Sequence, residues 1–300
     1  MTIDPAILDT LGFSGLDEAT FRARAVAGRP GLGLFEHDLS FIRYRVHGRD
    51  ADRPTLAFLP DGPATIESYD DLIAKLEDRF NIAILEIPGF GFSYPTAAEA
   101  LDFEASCQIL AQALVSLDLP RVVLVGPCIQ GLFAARISEI LGDELAGLII
   151  AQTGDFAAES KWVYEALGGA ALAVPFEGQI GFRLNRQKVS IDYWIPFVAG
   201  PNAPVAKLQD EARKVQACGC AYALASQVQK LRIVPETLSV SIPAAILWGL
   251  ADRSHAKTDR QSVRRYAPAA RYEEWEGIGH FIDIEAPEMI AEVATRLLAV

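Results

Sequence analysis

Short apolar runs alternate with stripes of helical spacing along the first half of the chain. Leu34–Leu39 and Phe41–Val46 read as two strands of a hairpin-like entry, and Thr55–Leu59 as a short strand that ends at Pro60-Asp61-Gly62-Pro63. Tyr69, Leu72, Ile73, Leu76 and Phe80 recur at helical spacing. Ile82–Ile87 is the next strand, closed by Pro88-Gly89. Phe103, Cys107, Leu110, Leu114 and Leu117 form a second helical stripe. Arg121–Gly126 has the continuous apolar character of a buried strand. The stripe Ile129, Leu132, Phe133, Ile137, Ile140 and Leu141 predicts the helix after it, and Leu145–Ala151 the strand after that. Strands alternating with helices in this way predict a mostly parallel sheet with helices on both faces.

The rhythm changes after Asp155. Residues 155–237 are helical in tone and rich in aromatics, among them Trp162, Phe182, Tyr193, Trp194 and Tyr222, and they are interrupted by Pro196, Pro201 and Pro204. The strand–helix rhythm then resumes with Ala244–Trp248 and Arg271–Trp275. A closing helix follows, with Pro287 in its first turn. The expected organisation is an α/β core made of residues 1–154 and 238–300, with an inserted helical cap at 155–237.

Composition sets the class. Of 300 residues, 51% are hydrophobic and 22% charged, which supplies a large core and excludes wholesale disorder. Lys plus Arg is 27 against 39 Asp plus Glu, a net charge of −12. So acidic a chain argues against nucleic acid or an anionic membrane as partner and suits a small-molecule ligand. No apolar run has the length of a membrane span and no signal-peptide pattern opens the sequence. Four cysteines at 107, 128, 218 and 220 make no disulfide framework, so a reduced, cytoplasmic protein is the expectation.

The string Val122-Val123-Leu124-Val125-Gly126-Pro127-Cys128-Ile129-Gln130-Gly131 carries the chemistry. A buried strand runs into small residues, a thiol and a helix. A sharp strand–turn–helix would expose the Cys128 side chain at the top of the sheet. A helix starting at Ile129 would aim its N-terminal amides at the sulfur and favour the nucleophilic thiolate. The competing reading is an inert buried cysteine. Farther on, Trp248-Gly249-Leu250-Ala251-Asp252 sets an acid just past a strand end, and Gly277-Ile278-Gly279-His280-Phe281 sets a histidine after the last strand.

With nucleophile, acid and histidine in that order, the chain resembles the α/β-hydrolases that carry a helical cap. Ile87-Pro88-Gly89-Phe90-Gly91-Phe92-Ser93 is similar to that family's Pro-Gly-x-Gly-x-Ser loop after the fourth strand, and Phe281 to Glu288 has the family's look. The resemblance covers nearly the whole chain outside the cap. It implies Cys128 as nucleophile on a carbonyl carbon, His280 as base, and Asp252 as the group that orients the imidazole. It implies an oxyanion hole from the amides of Ile129 and Gly62. Asp61, Gln130, Trp162, Tyr193 and Trp194 are the further pocket candidates.

Three departures from the family narrow the activity. Cysteine replaces the usual serine. Its acyl intermediate is a thioester with a leaving thiol of pKa about 8.5, which suits ester, thioester or lactone cleavage, acyl transfer or cyclisation rather than amide hydrolysis. Gln130 stands where the family has a small residue. Asp61 stands where it has glycine: pointing inward it would oppose negative charge in the oxyanion hole or serve as a polar or proton-transfer group, and facing away it would bond the loop backbone. The expected activity is a cysteine-dependent acyl hydrolase. The alternatives are an acyltransferase or cyclase, a carbon–carbon bond hydrolase, and a ligand-binding protein on the same scaffold. The expected partner is a small acyl substrate, free or bound to CoA or a carrier protein.

Other candidates rank lower. Asp155 ends a strand where some relatives place the acid, and Asp283 is close in sequence to His280. His37, His47 and His255 lack a motif, so surface or local hydrogen bonding is expected of them. Cys107 lies on an apolar stripe and is expected in the core. Cys218 and Cys220 lack a second ligand pair for a metal. No Gly-x-Gly-x-x-Gly follows the first strand and no Walker loop occurs, so no cofactor is expected.

Overall fold

The computed structural model describes residues 3–11, 16–166, 168–231 and 237–299. Its strands are β1 (Leu32–His37), β2 (Ser40–His47), β3 (Thr55–Phe58), β4 (Asn81–Leu85), β5 (Phe90–Gly91), β6 (Tyr94–Pro95), β7 (Val122–Pro127), β8 (Leu145–Ala151), β9 (Ala221–Tyr222), β10 (Ala244–Gly249) and β11 (Arg271–Trp275). The main sheet has the order β1-β2-β4-β3-β7-β8-β10-β11, with the short β6 beside β2. β1, β4 and β6 each pair antiparallel with β2, and the successive pairs along β4-β3-β7-β8-β10-β11 are all parallel. The expected mostly parallel α/β sheet is therefore present, and its strands lie within a residue or two of the runs that predict them.

Alternation along the strands explains why both faces are covered. Val123 and Val125 of β7, Ile149 of β8 and Leu247 of β10 pack with Leu72, Ile290 and Val293 on one side. Their neighbours Leu124, Ile150 and Ile246 pack on the other side with Leu110, Leu114, Leu132 and Phe133. A strand buried on both faces shows a continuous apolar run, which is why Val122–Val125 lacks a polar alternation. The helices Phe103–Ser116 and Gln130–Leu141 cover one face. Asp70–Leu76 and Pro287–Leu297 belong with the other.

Between β8 and β10 the described chain is helical apart from β9, which pairs with β5. One helix, Glu177–Arg186, runs into a stretch of wide i→i+5 turns at Gln187–Trp194. Such turns rotate side chains out of the α-helical register and often occur where a helix builds a site. The expected boundary near residue 237 adjoins residues 232–236, which lie outside the described residues. The N-terminal segment is tied to these helices: Ser226 and Arg183 both donate to Asp9, and Lys230 pairs with Asp4 and Asp102 at 2.5 and 2.6 Å. No helix among the described residues is long and apolar enough to cross a membrane.

Candidate active site

β7 ends in Pro127, and Cys128 follows with a φ of +52°, a conformation costly for a residue with a side chain. The next helix begins at Gln130 with Ile129 as its N-cap, one residue later than the apolar stripe predicts. The turn is held from three sides. The Cys128 amide donates to the Ala151 carbonyl at 2.8 Å, the Thr153 hydroxyl donates to the Cys128 carbonyl at 2.6 Å, and the Gly131 amide donates to the same carbonyl at 2.8 Å.

The crowding requires small residues. A Cβ on Gly126 would lie 2.4 Å from the Gln130 carbonyl oxygen, and one on Gly131 would lie 2.1 Å from Thr153 Oγ1. Gly131 thus takes up close packing one position beyond where the family has its small residue. Gln130 is buried, and its amide nitrogen donates to the Pro60 carbonyl at 3.3 Å, tying the turn to the loop after β3. Gln130 does not line the cavity that Cys128 lines, which removes it from the pocket candidates.

His280 meets two carboxylates. Its Nδ1 lies 2.6 Å from Asp252 Oδ2, and its Nε2 lies 3.1 Å from Asp61 Oδ2. Asp252 also accepts from the Gln152 side chain and from the Ser254 amide and hydroxyl, each at 2.8 Å. Burial alone would raise the Asp252 carboxyl, but the imidazole and these donors hold it below its ordinary range. Burial alone would lower His280, but Asp252, the Cys128 sulfur and Asp61 outweigh it and hold the ring protonated well above its ordinary value. Burial raises Asp61, and the imidazole opposes that rise only in part.

The thiolate expected at the helix N-terminus is not favoured. Burial and the neighbouring Asp61 charge push the Cys128 thiol well above its ordinary value, against the pull of His280. The helix offers a fraction of a charge at its end, whereas Asp61 brings a full one within hydrogen-bonding reach of the same imidazole.

His255 is a second correction. It is buried, not a surface residue. Its Nδ1 contacts Thr258 Oγ1 at 3.0 Å, and its ring lies over Trp162 with centroids 4.3 Å apart. Burial lowers it to about 3, so it is neutral. One ligand atom each from Cys128, His255 and His280 fall within 4.8 Å of one another. Both nitrogens of His280 are already directed at carboxylates.

Above Cys128 lies a cavity of about 220 Å³. Asp61, Gly62, Cys128 and Ile129 form its floor. Trp162, Leu172, Phe182, Val189, Trp194 and Tyr222 are among its walls, and the half-exposed Tyr193 stands at its rim. Gly62 carries the Tyr222 ring directly on its α-carbon, where a Cβ would come within 2.6 Å of the ring.

The remaining candidates fall elsewhere. Asp155 pairs with Arg265 at 2.7 Å and accepts from the Ala158 amide. Asp283 accepts from Tyr69 at 2.5 Å. His37 caps Leu39, and His47 pairs with Glu77. Cys107 is in the core, Cys218 is exposed, and Cys220 lies against Arg186. Sequence reasoning missed Gln152, Thr153, Glu159 and Tyr222. The first two directly follow β8, and the C-terminal edge of a parallel sheet is where such groups collect. Glu159 is a buried carboxyl whose Oε1 accepts from the Gly154 amide at 2.5 Å and whose Oε2 has no hydrogen-bond partner among the described residues.

No family profile matches the sequence. Haloalkane dehalogenase 2 of Mycobacterium tuberculosis is 22% identical over 264 residues, covering 83% of this chain and 90% of that protein. The structure of a candidate epoxide hydrolase from Pseudomonas aeruginosa superposes with a TM-score of 0.72 at 15% identity, covering 90% and 96% of the two chains. A candidate acyltransferase from Salmonella enterica superposes with a TM-score of 0.71 at 15% identity, covering 90% and 96%. The fold is that of the α/β-hydrolases.

Proposed function

We propose that this protein is a hydrolase that takes a small activated acyl group from an ester, thioester or lactone onto Cys128 and releases it to water. The observation that carries the reading is Cys128 itself, held at positive φ on the strand–helix turn, beside an imidazole braced by Asp252 and at the floor of an apolar cavity. In this reading His280 receives the thiol proton and later activates water. Asp252 fixes the ring and stabilises its charge. The Ile129 amide, at a helix N-terminus where amides lack intrahelical acceptors, and the Gly62 amide receive the oxyanion. The helices within residues 155–237 serve as the cap that keeps bulk water from the acyl group.

The nature of the nucleophile favours acyl over alkyl substrates. A thiolate that displaced halide or opened an epoxide would form a carbon–sulfur thioether, which water does not cleave, and the enzyme would stop after one turnover. An acyl thioester is cleaved readily. The cavity is below the roughly 300–1,000 Å³ typical of sites for drug-sized ligands, which points to a short acyl chain.

The test is intact-protein mass spectrometry after brief incubation with p-nitrophenyl esters and acyl thioesters of increasing chain length. Wild type gains the acyl mass, fastest for short chains, and Cys128→Ala does not. An adduct that persists in Cys128→Ala, or wild type that loads none of the panel, refutes the reading. Adding alcohol or amine acceptors to the loaded enzyme separates hydrolysis from acyl transfer.

A further inference from the structure

We propose that Asp61 and His280 act as one unit that holds a single shared proton, and that Asp61, as a neutral carboxylic acid, donates a hydrogen bond to the carbonyl oxygen of the bound acyl group. The proposal rests on the acyl reading of Cys128 and adds a catalytic residue to it.

Geometry carries the argument. Asp61 Oδ2 stands 3.1 Å from His280 Nε2, on the side of the ring opposite the Asp252 contact. Nε2 is the nitrogen that must take the thiol proton. Asp61 also lines the cavity together with Gly62, Cys128 and Ile129, where the carbonyl oxygen must sit if Gly62 and Ile129 supply its amide donors. Asp252 and Asp61 therefore flank one imidazole. With both carboxylates ionised, an oxyanion would be a third negative charge around a single cation in a buried site. One carboxyl has to be neutral for that charge to form. Asp252 accepts three further hydrogen bonds and stays ionised, whereas Asp61 has only the His280 ring and the Cys128 thiol as side-chain donors among the described residues. The proton therefore resides on Asp61 when the oxyanion forms.

The groups that face Asp61 agree with this arrangement. They are the Cys128 thiol, the His280 ring and, farther off, Asp252, Glu159, Tyr69, Tyr222 and Asp283. Among them only His280 carries positive charge; the Cys128 thiol adds a hydrogen bond that favours the Asp61 anion but brings no charge to balance it. Burial raises its carboxyl accordingly.

The proton balance is as follows. In the free enzyme the shared proton is on the imidazole, and the thiol keeps its own. When the acyl carbonyl displaces Asp61 from Nε2, the shared proton passes to Asp61, which turns it toward the carbonyl oxygen, and the ring becomes neutral. The ring then takes the Cys128 proton as the sulfur–carbon bond forms and the carbonyl π pair moves onto oxygen. Collapse of that intermediate breaks the bond to the leaving group, which receives the proton from His280. Asp61 keeps the shared proton throughout and returns it to the ring after product leaves.

The test is the pH dependence of Cys128 acylation by the best ester of the panel, in wild type, Asp61→Asn and Asp61→Ala. Alkylation of Cys128 by iodoacetamide, followed on its own peptide, is run alongside. Wild-type acylation should fall on the alkaline side, where the pair loses its shared proton. Asp61→Asn still donates but cannot titrate, so it should keep the rate near neutrality within about tenfold and lose the alkaline fall. Asp61→Ala should be slower by about 10²-fold, the usual cost of one oxyanion donor. Alkylation should become faster in both variants at mildly alkaline pH, because the charge that opposes the thiolate is gone. Wild-type loading with an alkaline limb unchanged in Asp61→Asn, or with Asp61→Ala at the wild-type rate, overturns the proposal and leaves the acyl reading standing. No loading of wild type, while Cys128 still alkylates, overturns both.

Discussion

Replacing Glu159 by glutamine should make the protein more stable above neutrality and no more stable in acid. Glu159 is buried, and burial raises its carboxyl from an ordinary 4.5 to about 8. Its Oε1 accepts from the Gly154 amide at 2.5 Å, while Oε2 has no partner among the described residues. A raised carboxyl favours the folded state fully below pH 4.5, where both states hold the proton. That contribution is lost progressively as pH rises through 8, because the unfolded chain ionises freely and the buried group does not. The difference of 3.5 units between 8 and 4.5 corresponds to about 5 kcal/mol as an upper figure, at roughly 1.4 kcal/mol for each pH unit in between.

Glutamine keeps the acceptor for Gly154 and removes the titration. Its amide nitrogen takes the place of the unpartnered oxygen, at a cost of about 1–3 kcal/mol for an unsatisfied donor. Glu159→Gln should therefore lie at or below wild type at pH 5 and exceed it by about 2–4 kcal/mol at pH 9. The assay is urea unfolding of the two proteins at unit steps from pH 5 to 9, comparing their difference so that the other titrating groups cancel. A difference that does not change with pH refutes the reasoning, because Glu159 would then titrate alike in the folded and unfolded states.

Other outcomes follow from the same contacts. Gly131→Ala forces a Cβ against Thr153 and should destabilise by about 2 kcal/mol or more; in the double variant with Thr153→Ala the two losses should fall short of their sum by about 1 kcal/mol in urea unfolding. Asp252→Asn removes the carboxylate that fixes the His280 tautomer and should slow acylation of Cys128 by about 10³–10⁴-fold at neutral pH, measured as the rate of mass gain. Leu172→Trp fills part of the cavity above Cys128 and should shift the fastest-loading ester to a shorter chain without abolishing loading. Neutral acyl groups should load at least about tenfold faster than dicarboxylic half-esters of the same length, because the cavity floor already carries Asp61; equal rates would count against that placement of charge.

The strands were legible because each is a short continuous apolar run, and a sheet covered on both faces demands such runs. Cys128, Asp252 and His280 stand out in the sequence because each lies within five residues of the end of a strand, at Pro127, Gly249 and Trp275. What lay hidden depended on distance across the fold. His255 carries no motif, and its burial comes from the Trp162 ring in a helix some ninety positions away. Gln152 sits in an ordinary loop until Asp252 and Gly249 arrive from the strand after the helical segment. Tyr222 looked like one more aromatic of that segment, yet its ring rests on Gly62 because β9 pairs with β5. The reactivity of Cys128 was misjudged because helix polarity is visible in sequence, whereas the burial and the facing Asp61 that outweigh it are not.

Charge around His280 links stability to chemistry here. Asp61, Asp252, Asp283 and Glu159 are all buried near one imidazolium, and the last two are raised to about 6 and about 8. Near neutrality Glu159 keeps its proton, and in mild acid Asp283 gains one, so part of that negative charge is held off by bound protons and the cost appears as stability lost at alkaline pH. A conventional oxyanion hole would place glycine at position 61 and avoid part of this cost. Retaining a carboxyl against the imidazole lowers the standing reactivity of the thiol, since burial and the Asp61 charge keep Cys128 in its neutral form against the pull of the protonated ring. In the proposed mechanism, reactivity then depends on a substrate carbonyl displacing Asp61 from Nε2. A cysteine so restrained would be protected from oxidation and adventitious alkylation while empty, and would become nucleophilic only when the cavity above it is filled.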